Sequence, residues 1–542
     1  MTDPVSELHG AVVAAASAVR GGGPVPAPTL ERPPKPGFGD YSTNMAMLLA
    51  PALGEPPRQI AERLAQDLVG RLGGDLDRAE VAGPGFLNLF MSDAWCCRSL
   101  AGTLEAGTAY GSGERSHGRR MSVEFVSANP TGPITVAAGR HAAYGDSLCR
   151  ILGFAGNEVE REYYVNDRGG QIDRFAESIR ARAKGEDPPE DGYQGDYIIA
   201  AAEQIEGAAE MDGDKLARRG VEIMLEDIRG TLERFRVRMD RFSSERALHD
   251  SGAVAKALDR LRGDRHAFSQ DGALWLRSTS FGDDKDRVLV RSNGELTYLA
   301  SDIAYHEDKR ARGPDRVISI WGADHHGYVA RMRAAWQAMG GDLEQLELLI
   351  MQLVNLLEGG QRSQMSKRGG EFVTLDDLID DIGLDATRWF LLQRSHDTAL
   401  DVDLDLARRQ SQENPVYYAQ YAHARIASIL RKAGEQRVAQ ALQADVAASP
   451  EALHPSARAL VKRLLEYPEE VADAAERRAP HRLITYVTEV AQAFSAFYRD
   501  CKVVGAAAEG GDEDLRIAVC ESTRRVIASS LDLLGVAAPA EM

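Results

Sequence analysis

The stretch from 121 to 167 limits the possible folds more than any other part of the chain. MSVEFVSA (121–128) is rich in β-branched and aromatic residues and reads as a strand; NPTGP (129–133) reads as a turn. GRHAAYGDSLCRILGFAG (139–156) reads as a helix with a glycine stop, and VEREYYVND, ending at Asp167, as a second strand. A strand–loop–helix–strand run of this length is a right-handed βαβ unit. Charged, helix-patterned sequence follows from about 168 to 238 and interrupts the sheet. Three more strand–loop–helix pieces come later, at 295–309, at 316–340, and at 346–356 leading into a glycine-rich loop. Such alternation predicts a parallel α/β sheet.

In an open α/β sheet, ligands sit beyond the carboxyl ends of the strands. SANPTGP (127–133), YLASD (298–302), WGADHH (321–326) and EGGQRSQMSKRGGEF (358–372) are placed to reach that edge. They offer helix N-termini for phosphates, carboxylates at Glu124, Asp302 and Asp324, hydroxyls at Ser127 and Tyr298, and a lysine at Lys367. Four such segments in the order a doubly wound sheet requires point to a nucleotide-dependent enzyme.

The 542 residues suggest three or four domains. Residues 4–20 read as an amphipathic helix, and 21–37, dense in Gly and Pro, as a loop without helix or strand. A compact α+β unit runs to about 113, with a strand at 81–91 and a helix after Asp93, and GSGERSHG (111–118) reads as a linker. From about 404 only helical periodicity remains, apart from loops near 446–455 and 504–513. The expected division is an α+β domain (1–113), an α/β domain (114–403) and an all-α bundle (404–542).

The formal net charge of −18 argues against a DNA-coating protein and leaves room for a structured RNA bound by a local patch. Five cysteines, Cys96, Cys97, Cys149, Cys501 and Cys520, without a CxxC, suggest neither a disulfide framework nor zinc, but thiols in a reducing cytosol. The first residues lack a basic n-region, and no stretch reaches the ~18 apolar residues of a membrane helix. The expectation is a cytoplasmic protein.

The chain resembles the arginyl-tRNA synthetases, class I enzymes with a Rossmann-type catalytic domain. EFVSANPTGP (124–133), EYYVNDRGGQI (162–172), TYLASDIAYH (297–306), WGADHHGYV (321–329) and MSKRGGEFVTLDDLIDDIG (365–383) carry the likeness. So do DATRWFLLQRSHDTALDVDLDLA (385–407), NPVYYAQYAHARI (414–426) and the ending LDLLGVAAPAEM (531–542). GDYSTNMAMLLA (39–50) and VAGPGFLNL (81–89) are similar to the family's N-terminal domain. The resemblance implies activation of arginine by Mg-ATP, which in this family requires bound tRNA. It then implies transfer to the terminal ribose of arginine tRNA, by a protein that is usually a monomer.

The resemblance also implies roles. Glu124, Tyr298 and Asp302 would surround the guanidinium, a planar cation with five donors that suits fixed carboxylates. Ser127 and Asn129 would hold the substrate's α-amino group and carbonyl, with Asp324 also at the arginine. By themselves, Glu124 reads as a solvated strand carboxylate, Asp302 as a helix N-cap, and Ser127 and Asn129 as turn residues. Gly132, Pro133, Gly322, His325 and His326 would lie against ATP. The Asp-His-His run could suggest a metal, but adjacent histidines point to opposite sides and no third ligand is evident, so no metal is expected. Lys367, with Met365 and Ser366, matches the mobile class I loop whose second lysine stabilises the leaving pyrophosphate; Gln364 stands where that motif has its first lysine.

The sequence departs from the family at the other signature. Where an HxGH motif is expected, the chain reads Thr135, Val136, Ala137, Ala138, with neither histidine. The compensation expected here is a phosphate role shared by Thr135, His141, Lys367 and the helix N-terminus, with Ala137 and Ala138 beside ATP. His141 alone reads as a surface helix residue. The competing readings are a tRNA-binding paralogue without adenylate chemistry and an arginine-activating biosynthetic enzyme.

At the RNA end, Asn414 and Pro415 start a helix on which Tyr417, Tyr418, Tyr421 and His423 interleave with Arg425. Tyr417, Tyr421 and Arg425 are the candidates for splayed bases, with core packing as the alternative for each tyrosine. Phe494 and Phe497 have core spacing, and Asn44 matches a position that reads the tRNA elbow in the family.

Overall fold

A computed structural model of the chain describes residues 4–33, 36–113, 118–362, 373–449 and 452–542. Its central sheet has five strands: β1 (Arg120–Glu124), β2 (Glu158–Val165), β3 (Arg241–Ser244), β4 (Arg316–Gly322) and β5 (Leu346–Met351). They lie in the order β3-β2-β1-β4-β5, and every pair is parallel. Strand order therefore reverses between β1 and β4, and a crevice opens there at the carboxyl edge. Helix α1 (Val136–Phe154) makes the first crossover, and β1 is buried along nearly its whole length, as a sheet covered on both faces requires. The expected α/β class is the observed one.

The interruption after β2 is helical, with Gly170–Ala183, Asp196–Gln204 and Gly213–Arg234. A three-stranded antiparallel sheet, Ala267–Gln270, Ala273–Leu276 and Arg287–Val290, then precedes β4. The sequence reading missed it, although its turn carried a signal. Asp271 and Gly272 take φ of 51° and 76°, the left-handed pair a tight hairpin prefers.

This sheet explains a correction. Residues 295–298 are not a strand of the central sheet; helix α2 (Tyr298–Ala311) begins at Tyr298 itself. Thr297 donates its hydroxyl to the Val288 carbonyl at 2.9 Å, and its N–H bonds to Leu289, which ties the helix start to the small sheet. The piece at 346–356 also divides: after β5, Val354–Glu358 leaves to pair with Gln361–Arg362 and Leu400–Asp403.

The N-terminal part packs helices Pro4–Arg20, Met45–Leu53, Pro57–Leu72 and Asp93–Ala106 with a four-stranded sheet. One strand, Leu30–Glu31, pairs with Ser42 and Thr43 inside the segment read as a bare loop, so that reading is corrected. Beyond Leu404 the described residues are helical, with α3 (Pro415–Ala433) and His481–Asp500 and Glu513–Leu533 as its long members. All five cysteines are buried thiols. One apolar core runs from Leu8 through Phe125 and Trp389 to Val536. Ion pairs reinforce this union: Arg458 and Lys462 meet Asp40 at 2.9 and 2.7 Å.

Candidate active site

At the end of β1 the backbone breaks sharply. Val126 and Ser127 adopt φ of 69° and 41°, a region costly for a β-branched residue. The break lets one hydroxyl do two things: Ser127 Oγ donates to Glu124 Oε1 at 3.1 Å and accepts the Tyr164 N–H at 3.1 Å. Glu124 is 4% exposed, so it is not the solvated strand carboxylate its position alone suggests. Its Oε2 accepts from Lys309 Nζ at 2.5 Å and from Ser319 Oγ at 3.0 Å. Asn129 lies just outside, donating to Gln171 at 2.9 Å and accepting from Asn166 at 3.4 Å.

Asp302 stands in the second turn of α2, whose N-cap position is Thr297, so the N-cap reading of Asp302 is corrected. Its Oδ2 accepts from Tyr328 at 2.5 Å. Burial drives its pKa up to about 7; the Glu245 and Glu124 carboxylates add to the rise, and Tyr328 and His325 oppose it. Tyr298, the tyrosine expected to face the guanidinium with it, is the first residue of α2 and is 70% exposed. The hydroxyl on Asp302 is thus Tyr328's, which sequence reasoning missed. It also missed Glu245, a buried carboxylate at the first turn of the helix after β3. Burial raises the Glu245 pKa, and hydrogen bonds from Ser301 and Tyr164 hold it partly back. Only the three-dimensional return of β3 to this edge brings Glu245 near Asp302.

Beyond β4, Gly322 leads into the short turn Ala323–Tyr328. A Cβ at Gly322 would lie 2.7 Å from Asp324 Oδ1, the tip of an exposed side chain that can turn away. Asp324 and His325 are largely exposed and pair at 3.1 Å, and His326 is exposed too. Among the described residues no group of three metal-ligating side chains occurs.

The altered signature is a helix start. Thr135 is the N-cap of α1, its Oγ1 accepting the Ala138 N–H at 3.3 Å, so Val136, Ala137 and Ala138 form the first turn. Ala137 is exposed, while Gly132 lies against the hydroxyl end of Tyr197, where an added Cβ would stand only 3.2 Å from the hydroxyl oxygen; Pro133 follows in the same turn. Backbone bonds Val136 N–H to Val373 and Leu375 N–H to Ile134 bring a second helix start, Leu375–Ile382, alongside. His141 is half-buried rather than the surface residue expected from the sequence alone: its Nδ1 is buried without a hydrogen-bond partner among the described residues. Burial and the neighbouring Arg140 push its pKa down to about 4, so the ring is neutral at pH 7. Arg140, another residue the sequence reading passed over, is itself buried. It donates to the carbonyls of Gln352, Ser395 and Thr398 at 2.7 to 2.9 Å, fixing α1 against the far rim. Met365, Ser366 and Lys367, with Gln364, lie outside the described residues.

On α3 the Tyr417 and Tyr421 rings stack at 6.1 Å and 10°. Arg425 lies 4.6 Å over Tyr421 and 4.9 Å over Tyr498, and donates to the Tyr421 hydroxyl at 2.7 Å. His423 is instead a core residue, its Nδ1 2.8 Å from the Pro539 carbonyl. Phe494 and Phe497 are buried, as their spacing implies. Asn44 occupies the N-cap position of Met45–Leu53, but its Oδ1 accepts the Thr29 N–H at 3.1 Å rather than capping.

Comparison with known proteins agrees with this geometry. Residues 6–91 match the arginyl tRNA synthetase N terminal domain, 203–428 the catalytic domain of tRNA synthetases class I (R), and 419–542 the DALR anticodon binding domain. The chain is 45% identical over 535 residues to arginine--tRNA ligase of Bacillus subtilis, covering 96% of this chain and 95% of that protein. It is 44% identical over 542 residues to the Heliobacterium modesticaldum arginine--tRNA ligase, with the same coverage of both. Among solved structures, the putative arginyl tRNA synthetase of Campylobacter jejuni superposes with a TM-score of 0.77 at 34% identity, over 83% of this chain and 100% of that one. The Thermus thermophilus arginyl-tRNA synthetase does so with 0.77 at 26% identity over the full length of both. A doubly wound sheet with acidic side chains at its switch point, family-specific domains on either side, and relatives matched almost end to end together lead to one conclusion: the chain belongs to the arginyl-tRNA synthetase family.

Proposed function

We propose that the chain is an arginine--tRNA ligase that activates L-arginine with ATP and passes the arginyl group to tRNA(Arg). The observation that carries this reading is the half-buried carboxylate Asp302, which has Tyr328 as its hydrogen-bond partner and Glu245 and Glu124 nearby. It stands at the switch point with no ion-pair partner among the described residues. A guanidinium supplies that cation and matches the carboxylates with directional donors. Asp302, Glu124 and Glu245 receive the side chain, Tyr298 closes over the mouth, and Ser127, Asn129 and Asp324 take the α-amino and carbonyl end. ATP lies along Gly132, Pro133 and the α1 start, with its ribose against Gly322, His325 and His326. Mg²⁺ enters as Mg-ATP, held through the substrate's own phosphates. Lys367, from the loop with Met365 and Ser366, stabilises the departing pyrophosphate. Tyr417, Tyr421, Arg425 and Asn44 serve the tRNA. The working units are 1–113 for tRNA recognition, 114–403 for catalysis and 404–542 for the anticodon, in a cytoplasmic monomer. No helix among the described residues is long and apolar enough to cross a membrane.

The missing histidines leave the phosphate role to Thr135, the α1 N-terminus and Lys367. His141 contributes as a neutral hydrogen-bonding partner rather than as a charge. The double variant Thr135→Val, His141→Ala is expected to slow ATP–pyrophosphate exchange at least tenfold, about 1.4 kcal/mol of barrier. Exchange at the unaltered rate would remove both residues from the phosphate site.

The function itself is tested by charging tRNA(Arg) with radiolabelled arginine, beside ATP–pyrophosphate exchange with and without the tRNA. Charging, with exchange that depends on tRNA, is the expected result. Tight tRNA binding with neither reaction would identify an RNA-binding paralogue and withdraw the catalytic roles.

A further inference from the structure

We propose that Lys309 is a positioning residue for arginine selection: it neutralises Glu124 from below and leaves that carboxylate to act by direction alone. This inference rests on the proposed arginine site. Three side chains stand in register across the sheet, because Glu162 of β2 pairs with Glu124 of β1 and Glu124 with Ser319 of β4. In a parallel ladder such partners share a face, so two buried glutamates lie side by side. Without a cation between them they would repel. Lys309, in the last turn of α2 and 0% exposed, supplies it.

Lys309 Nζ donates to Glu124 Oε2 at 2.5 Å and to Ser319 Oγ at 3.1 Å, and Ser319 Oγ donates to the same Oε2 at 3.0 Å. That triangle occupies Oε2. Its charge also helps hold the Glu162 carboxyl below its ordinary range, along with the hydrogen bond from Ser243 and the pair with Arg312. Arg312, just past the end of α2, grips Glu162 with two bonds of 2.7 and 2.9 Å. Helix α2 is therefore bolted to the sheet at its C-terminal end while carrying Asp302 near its N-terminal end.

The consequence concerns selectivity. Glu124 Oε1 accepts one proton from Ser127 and keeps one further lone-pair direction. An ammonium at Glu124 Oε2 is already present, and it belongs to the protein. A substrate finds one directional acceptor in Glu124 and its opposite charge in Asp302. A guanidinium fork can address two acceptors at once; a single ammonium cannot do so with the same geometry. Lys309 thus sets the form of the site without touching the substrate.

The test compares the unaltered enzyme with Lys309→Met and Ser319→Ala. Arginine binding is followed by calorimetry, steady-state exchange with tRNA(Arg) gives KM and kcat, and circular dichroism checks folding. The unaltered enzyme must first bind arginine; if it does not, the arginine-site reading fails, and the inference with it. Given binding, Lys309→Met is expected to raise the Kd and KM for arginine at least tenfold. The KM for ATP should stay within twofold, and the preference for arginine over lysine should narrow. Ser319→Ala, which removes one bond to Oε2 but no charge, is expected to raise the KM for arginine about threefold, roughly the worth of a weak net hydrogen bond. Should Lys309→Met fail to fold, Ser319→Ala decides alone. An unchanged arginine KM in a folded variant, or equal rises for arginine and ATP, would overturn the positioning role.

Discussion

Replacing Arg388 by Ala is expected to lower the thermal midpoint of the protein by about 10 °C. Arg388 is 0% exposed, and its guanidinium joins three separate parts of the chain. It donates to the Leu534 carbonyl at 2.9 Å near the C-terminus and to the Phe235 carbonyl at 2.8 Å after the inserted helices. A third bond reaches Asp146 on α1 at 2.7 Å. Burial depresses its pKa and Asp146 opposes that shift, so the ion remains paired in the interior. Breaking a buried pair costs about 3–5 kcal/mol because it strands what is left behind; here two carbonyls are stranded, while Asp146 keeps Arg150 at 2.8 Å. At about 2–4 °C per kcal/mol for units of this size, the midpoint falls by roughly the stated amount. Gly535→Ala should act similarly without removing any charge. An added Cβ would lie 2.3 Å from the Arg388 guanidinium, at a φ of 69° that already favours glycine. Differential scanning calorimetry measures both; a shift below about 2 °C for Arg388→Ala would mean that water replaces the guanidinium, and the anchor role would be lost.

What the sequence showed follows from how local each signal was. The βαβ unit at 121–167, the helical interruption and the all-helical C-terminal part were legible because periodicity and stop residues are written within each segment. Asn414 could be recognised as a cap from its neighbours alone, and its Oδ1 does accept the Val416 N–H at 3.2 Å. The small antiparallel sheet lies in a stretch left without a reading, and the strand expected before YLASD was fitted to the parallel pattern, where tertiary pairing through Thr297 decided otherwise. The candidate site divides in the same way. Asp302 and Glu124 were found through motif resemblance, but their environments were not. Burial of Glu124 depends on Lys309, which is 185 positions away in sequence. The hydroxyl on Asp302 belongs to Tyr328, 26 positions on, a partner that no local pattern announces. Glu245 carried no signal at all, since a glutamate in a helix's first turn is ordinarily a dipole partner.

Arginine affinity should rise with pH through about 7, and Asp302 is the reason. The side chain is an acid whose pKa burial lifts from 3.8 to about 7 in the arginine-free protein. Below that value it is mostly protonated and neutral; above it, it is the carboxylate a guanidinium needs. The sign is therefore fixed: each pH unit below 7 should weaken binding up to tenfold, and above about pH 8 the dependence should flatten. Bound guanidinium favours the ionised form and pulls the pKa back down. Binding near pH 7 must then release about half a proton, measurable as a dependence of calorimetric enthalpy on the buffer's ionisation enthalpy. The same group affects stability in the opposite sense. The unfolded chain ionises Asp302 near 4 while the folded chain keeps the proton, so the arginine-free protein loses stability from about pH 4 to 7, and arginine restores it. Asp302→Asn removes both effects. It should raise the KM for arginine on the order of 10²-fold, about 3 kcal/mol, the scale of losing one partner of a buried charge-assisted pair. It should also abolish the proton release and the pH slope, with the KM for ATP little changed. A variant that kept the slope would assign the titration to Glu245, the neighbouring buried carboxylate, and Glu245→Gln would then be the change that flattens it.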